Sequence, residues 1–194
     1  MASPSFAQLV SLACHDLRTP LATASGFART LERLDTLEQP ADRYVVMIGA
    51  ATDQLAALLD LLSVAARIES DRFEPQFREA NARDLADQAA AHLGDGTAAV
   101  TGEGTSVRAE ANWSALALSA LAEAARRHGG LEEIALSVDG TAVAISPIRD
   151  DAGSIAVGAD LKDFGAAVGT RVLTAAGAVV EFDSDRLSVR FPPP

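Results

Sequence analysis

A histidine with acidic and hydroxyl neighbours occurs near the start of the chain, in the stretch Cys14-His15-Asp16-Leu17-Arg18-Thr19-Pro20-Leu21. Asp16 can accept a proton from the imidazole ring or select its tautomer, which leaves the other ring nitrogen free as a nucleophile. Thr19 follows one helical turn later, where its hydroxyl can orient a water. Pro20 costs about 3 kcal/mol inside a helix and predicts a local bulge beside the histidine. The stretch therefore suits a nucleophilic histidine with an acid–base partner.

The helical periodicity around this stretch predicts that His15 points to water. Apolar residues recur at helical spacing from Ser5 to about Leu34. At about 100° per residue, His15 lies roughly 155° from the centre of that apolar stripe. The same face continues with two small residues, Ala22 and Gly26, and then Arg29. Such a shallow strip below a nucleophile is suited to docking a partner protein.

A second helix shows the clearest periodic pattern in the chain and follows a polar break at Asp35–Pro40. Its apolar residues alternate steps of three and four and are Ala41, Tyr44, Ile48, Ala51, Leu55, Leu58, Leu62 and Ala65. Two long helices with a tight connection predict an antiparallel hairpin. Because a lone hairpin has too little core, we expect two copies to pair as a homodimeric four-helix bundle.

The composition excludes several classes of partner and site. Aromatic residues make up only 5% of the chain and hydrophobic residues 48%, which favours helix packing over a thick β core. The net charge of −11 argues against nucleic acid or an anionic membrane as a partner. The single cysteine excludes an intramolecular disulfide and a cysteine metal cluster, and we expect no metal site. Without an uninterrupted 18-residue apolar run or a signal peptide, we expect a cytoplasmic protein.

The pattern changes after Ile68, which predicts one domain over residues 1–68 and another over 69–194. The polar segment Glu69–Phe77, which contains Pro75, is interpreted as a linker entering a strand, and alternating helices and strands follow it. The predicted helices lie near Ala80–Leu93, Asn112–His128 and Phe164–Ala176. The predicted strands are Ala98–Thr101, Ile134–Val138, Ala142–Ser146, Ala178–Phe182 and Leu187–Phe191. Helices beside antiparallel strands indicate an α+β sandwich for the second domain.

The histidine stretch resembles the phosphoacceptor H-box of bacterial two-component sensor histidine kinases, which reads His, an acidic residue, Leu, Arg, Thr, Pro, Leu. This resemblance implies a dimerisation and histidine phosphotransfer domain in the first 68 residues. It implies His15 as the phosphoacceptor, Asp16 as its acid–base partner and Thr19 in the phosphatase position. The residues that we expect to dock a partner are Arg18, Ala22, Gly26 and Arg29.

In that family the second domain is an ATP-binding α/β sandwich, but its binding motifs are degenerate here. The magnesium-chelating Asn-Leu-Leu-x-Asn-Ala corresponds to Ser119-Ala120-Leu121-Ala122-Glu123-Ala124, without either asparagine. The adenine-binding Asp-x-Gly-x-Gly corresponds to Asp151-Ala152-Gly153-Ser154-Ile155, with one glycine of two. The phosphate-binding Gly-x-Gly loop is reduced to Phe164-Gly165-Ala166-Ala167. The degenerate positions are thus Ser119, Glu123, Asp151, Gly153 and Gly165. We therefore expect this kinase-like domain to bind no nucleotide.

The combination resembles the dedicated histidine phosphotransferases of alphaproteobacterial phosphorelays. It implies that a response-regulator receiver domain docks on the hairpin and exchanges a phosphoryl group between its aspartate and His15. No cofactor is expected on this chain, and Mg²⁺ is expected on the receiver. One alternative is an atypical ATP-dependent histidine kinase, in which Glu123 would hold magnesium. Another is a non-catalytic kinase-like scaffold that sequesters a receiver or a kinase.

Overall fold

Two helices of 29 residues, α1 (Phe6–Leu34) and α2 (Ala41–Glu69), form the predicted hairpin. They belong to the first of two units of the chain, Met1–Arg72, and the second unit is Phe73–Pro194. The computed structural model describes residues 6–34, 37, 39–149 and 151–194, with side chains for all of these except residues 6, 8, 9 and 11–13. Part of the predicted break, residues 35, 36 and 38, lies outside the described residues. α1 runs without interruption through Pro20, so the predicted bulge there is wrong.

The second helix of the hairpin carries two apolar stripes. One stripe packs against α1 and includes the buried residues Val45, Thr52, Ser63 and Ala66. The stripe predicted from the sequence points elsewhere, since Tyr44, Ile48 and Leu55 are each more than half exposed. A hairpin of this kind therefore buries only one of its two apolar surfaces, and pairing with a second hairpin stays a prediction.

Two apolar stripes also make α2 unusually apolar along its length. Within the described part of the chain, α2 is the one helix long and apolar enough to cross a membrane, by length and composition only. These criteria average hydropathy over a window and admit charged residues, whereas the sequence analysis considered uninterrupted apolar runs, which Asp53 and Asp60 interrupt in α2. Buried core helices meet the same criteria, so the observation is weak evidence for a membrane span.

The second unit alternates helices with strands. Its elements are β1 (Arg78–Asn81), α3 (Ala82–Leu93), β2 (Ala98–Gly104), β3 (Ser106–Ala109), α4 (Ala111–His128), β4 (Ile134–Gly140), β5 (Ala142–Ser146), α5 (Gly153–Ala156), α6 (Phe164–Ala175), β6 (Val179–Asp183) and β7 (Arg186–Arg190). The predicted α/β sandwich is confirmed. The strand expected directly after Phe77 corresponds to β1, whereas the sequence prediction missed the short elements β3 and α5, since neither has a clear period.

The main sheet of this unit has five strands in the order β2-β4-β5-β7-β6. β2 and β4 pair in parallel, whereas the sequence suggested antiparallel strands throughout. The parallel pairing follows from the connection through α4, because parallel neighbours need a crossover of this length. β1 and β3 form a separate antiparallel pair. Alternate residues of the central strands face the helices and form the core, among them Leu136, Ile145 and Leu187.

Candidate functional site

The His15 side chain projects from the middle of α1 into water. Its exposed fraction is 79%, and that of the neighbouring Asp16 side chain is 67%. Nδ1 of His15 lies 3.1 Å from Oδ1 of Asp16, within hydrogen-bonding distance. When Nδ1 carries the ring proton it donates to this carboxylate, and the lone pair then resides on Nε2. In that tautomer Nε2 is exposed to solvent and could act as a nucleophile.

His15 lies on a different side of the hairpin from most of the exposed large apolar residues. His15, Ala22 and Arg29 are spaced by seven residues and so line one side of α1. We call this side the polar face. Leu17 and Phe27 are offset from it by two residues, about 200° around the helix. They belong to an apolar face whose exposed members are Leu17, Phe27, Leu31, Leu34, Tyr44, Met47, Ile48 and Leu55.

Two ion pairs cross the hairpin on its polar face. Arg18 of α1 contacts Asp60 of α2. Nη2 of Arg29 lies 2.8 Å from Oδ1 of Asp53, also on α2. The sequence prediction assigned both arginines to partner docking, but it did not identify their acidic partners. Because the two arginines are already paired, each can contact a docked protein only through its remaining N–H groups or by exchanging partners.

The other predicted residues of the polar face remain open. Thr19, Ala22 and Gly26 are exposed, and a Cβ added to Gly26 would meet nothing within 4 Å. Thr19 lies one turn from His15, and its backbone carbonyl accepts a hydrogen bond from the Thr23 hydroxyl at 3.0 Å. Beneath this surface Cys14 is fully buried, and that burial raises the pKa of its thiol. Cys14 is therefore a neutral packing residue under the histidine.

In the second unit, the degenerate positions on α4 have partners within the same helix. The hydroxyl of Ser119 is buried and donates to the Leu116 carbonyl at 2.8 Å. Both carboxylate oxygens of Glu123 accept from the Arg126 guanidinium, at 2.8 and 2.9 Å. That hydrogen bond is the main cause that raises the pKa of Arg126. Glu123 is thus engaged in a bidentate ion pair.

The degenerate positions between β5 and α6 lie in a closely packed region. Asp151 is exposed in a turn. The ring of Phe182 covers Gly153 so closely that an added Cβ would lie 2.4 Å from its Cζ. α6 packs directly on α4, since a Cβ on Gly169 would lie 2.6 Å from Cδ1 of Leu121. Gly153 is therefore closely packed, whereas Asp151 is open to solvent.

Gly165 is buried in the first turn of α6, and a carboxylate caps that turn. Oδ1 of Asp163 accepts from the Ala166 N–H at 2.9 Å, and the side chain is only 5% exposed. Its Oδ2 contacts the Arg127 guanidinium and lies 3.1 Å from Nε2 of His128. Burial acts to raise the pKa of Asp163, but the hydrogen bonds from Ala166, Arg127 and His128 and the charge of Arg127 outweigh it. The net pKa is lowered.

Sequence reasoning did not find this cluster around Asp163. An aspartate directly before a helical pattern is a recognisable N-cap signal. Nothing in the local sequence, however, connects it to Arg127 and His128, which lie 36 and 35 residues earlier. The same holds for Asp53 and Asp60, whose arginine partners depend on the register of the hairpin.

The sequence of the helical hairpin is similar to known phospho-acceptor domains. Residues 7–71 match the His Kinase A (phospho-acceptor) domain. The sensor protein KdpD of Mycobacterium tuberculosis is 33% identical over 90 residues, which are 45% of this chain and 10% of KdpD. The chain spans about a tenth of the length of the curated relatives that it matches.

Solved structures show the same fold. Full-length ShkA, in complex with AMPPNP, has a TM-score of 0.57 and 21% identity over 96% of this chain and 46% of that one. The Acinetobacter baumannii histidine kinase AdeS has a TM-score of 0.55 and 14% identity, over 92% of this chain and 97% of that one. A helical hairpin followed by a sandwich with a mixed five-stranded sheet is thus an arrangement found in histidine kinases.

Proposed function

We propose that this protein exchanges a phosphoryl group between His15 and an aspartate on a response-regulator receiver domain, a function supported by the match of residues 7–71 to the His Kinase A (phospho-acceptor) domain. The observation that carries the proposal is the exposed His15, whose Nδ1 faces Asp16 and whose Nε2 is open. A nucleophile that must reach a second protein has to project from its own fold. The polar face around His15 meets that requirement.

The exchange needs little covalent machinery from this chain. Nε2 of His15 attacks phosphorus, the N–P bond forms, and the bond to the aspartyl oxygen breaks as the carboxylate leaves with the electron pair. Asp16 holds the Nδ1 proton during this step and offsets the positive charge that develops on the ring. The reverse reaction uses the same groups. Positioning and neutralisation of charge account for most of the catalysis in such a transfer.

We propose that the working unit is a homodimer joined through the apolar face. That face exposes large apolar side chains along both helices, and continuous surfaces of this kind mark interaction sites. Two copies of the hairpin bring these stripes together in a four-helix bundle. Arg18, Arg29 and their acidic partners lie on the other side and stay in water. The docking strip around His15 therefore remains accessible in the dimer.

The proposal also holds that the second unit binds no ATP, since its residues do not fit a nucleotide. Glu123 is taken by Arg126, and the ring of Phe182 covers Gly153. The backbone of Gly158 packs against the first turns of α6, where an added Cβ would lie 2.6 Å from Cα of Ala167. Asp163 already caps that helix start. Together these contacts support a structural role for the unit.

An ATP-dependent histidine kinase is the second candidate. It is favoured by the likeness in fold to ShkA, a protein solved in complex with AMPPNP. The two candidates differ in one direct measurement, isothermal titration calorimetry of the wild-type protein with ATP and Mg²⁺. We expect no saturable heat. Saturable binding at sub-millimolar ATP would favour the kinase and contradict the phosphotransferase.

The transfer itself is tested with receiver domains encoded by neighbouring genes, each phosphorylated by a small-molecule phosphodonor. Wild-type protein should acquire acid-labile label from at least one receiver, and His15→Ala should acquire none. The matched control is His92→Ala, which removes another exposed histidine, in α3, and should transfer normally. Asp16→Asn should slow transfer by about 10²-fold because the ring proton loses its charged acceptor. Label on His15→Ala would contradict the proposal.

A further inference from the structure

The carboxylate of Asp163 lies where three hydrogen-bonding groups converge. Arg127 and His128 form the C-terminal end of α4, and both contact Oδ2. The backbone N–H of Ala166 in the first turn of α6 donates to Oδ1 at 2.9 Å. A guanidinium, an imidazole and the start of a 12-residue helix are donors that commonly bind phosphate groups in proteins. Here the anion that occupies them belongs to the chain itself.

We propose that Asp163 is a built-in occupant of an anion-binding site formed by Arg127, His128 and the first turn of α6, and that it keeps phosphate groups out. This inference rests on the proposed function, in which the second unit binds no nucleotide. The side chain is buried and multiply bonded, so a dissolved phosphate has to compete with a tethered carboxylate. Tethering gives that carboxylate a high effective concentration at the site.

Capping of α6 alone does not require a charged residue. Asparagine and serine cap helix starts about as well as aspartate. Two contacts beyond the cap distinguish Asp163, since Arg127 and His128 both approach its other oxygen. The adjacent Arg126 is neutralised by Glu123 within α4 and so does not belong to the site. The carboxylate at position 163 therefore balances the charge of Arg127, which comes from a different helix.

The test removes the occupant and keeps the cap. Asp163→Asn retains an oxygen acceptor for the Ala166 N–H but no longer neutralises the charge of Arg127. The matched control is Asp160→Asn, which removes the same charge from the same loop, where Asp160 pairs only with Lys162 in the bonds described, at 2.8 Å. The probe is inorganic phosphate at constant ionic strength. The readout is thermal unfolding followed by the fluorescence of Trp113, the chain's one tryptophan, which lies on α4.

Phosphate should raise the Tm of Asp163→Asn saturably. The phosphate concentration at half-saturation should be about tenfold or more below the concentration at which the Tm of wild type or Asp160→Asn responds. The double variant Asp163→Asn with Arg127→Gln should lose this gain. Equal responses of Asp163→Asn and Asp160→Asn would overturn the inference. If Asp163→Asn is unfolded, phosphate should restore the Trp113 signal, and failure to restore it overturns the inference equally.

These outcomes are distinguishable from failure of the proposed function. The phosphate measurement does not involve His15, so a negative result leaves phosphotransfer unaffected. ATP binding by the wild-type protein would instead contradict the proposed function. The response of Asp163→Asn to phosphate is a separate measurement, and it tests the inference about Asp163. All variants should transfer phosphoryl through His15 at the wild-type rate.

Discussion

Arg18, which lies one helical turn after the exposed His15 on α1, forms an ion pair with Asp60 of α2. The pair links the helix that carries the nucleophile to its neighbour on the polar face of the hairpin. Arg29 and Asp53 repeat the arrangement further down the same two helices. Both pairs are partly exposed, so their contribution to stability is small, but they define which side chains a docked protein meets.

A double-mutant cycle on Arg18→Ala and Asp60→Ala should give a coupling energy of about 0.2–1 kcal/mol, as is usual for exposed pairs. Each single variant should unfold at nearly the wild-type urea midpoint, measured by far-UV circular dichroism. The Arg29–Asp53 pair provides a parallel cycle at a distance from His15. A coupling energy above about 3 kcal/mol would show that the Arg18–Asp60 pair is desolvated, contrary to its exposure in the single hairpin.

Leu55→Glu should dissociate or unfold the proposed dimer, because Leu55 lies on the apolar face and the substitution would bury an unpaired charge in the bundle. Ala50→Glu is the matched control. Ala50 is also exposed on α2 but lies five residues earlier, about 140° around the helix from Leu55. Light scattering should report a dimer for wild type and Ala50→Glu and a smaller or unfolded species for Leu55→Glu. A wild-type monomer at micromolar concentration would contradict the bundle.

Gly169→Ala should destabilise the second unit by about 1–3 kcal/mol, since its Cβ would lie 3.1 Å from the Ala117 carbonyl oxygen and 2.6 Å from Leu121. Urea unfolding followed by Trp113 fluorescence measures this change. Gly26→Ala is the contrasting case, because a Cβ there meets nothing within 4 Å and alanine favours helix. It should stabilise the hairpin by up to about 1 kcal/mol. Wild-type stability of Gly169→Ala would show that α4 and α6 can move apart.

Asp163→Asn should lower the free energy of unfolding of the second unit by about 1–3 kcal/mol at pH 7. Because the folded-state pKa of Asp163 lies below its ordinary value of 3.8, its charge stabilises the fold above that value. The contribution is lost as the pH falls through the ordinary pKa towards the folded-state pKa. The difference between wild type and Asp163→Asn should thus shrink as the pH falls below about 4. Trp113 fluorescence in urea at several pH values measures it, and a difference that grows on acidification would contradict the assignment.

The sequence by itself determined the hairpin, the succession of most helices and strands, and the candidate nucleophile. These features are local: the helical period of α2 and the run from His15 to Leu21 can be read without knowing which segments meet. The same local signals also predicted a bulge at Pro20, which is absent because α1 continues through this residue. Proline lacks an N–H group, so only one backbone carbonyl of the helix loses its hydrogen-bond partner.

Only the tertiary structure decided which charges meet. Arg18 and Asp60 are 42 residues apart, and Arg127 and Asp163 are 36 residues apart. Each pairing depends on the register in which two helices pack, and the local hydrophobic period of one helix does not determine that register. The parallel pairing of β2 with β4 is likewise a consequence of the crossover through α4. Local periodicity specifies which face of each helix is apolar. Contacts between distant residues arise from packing, because packing fixes both the register of the helices and the burial of each side chain.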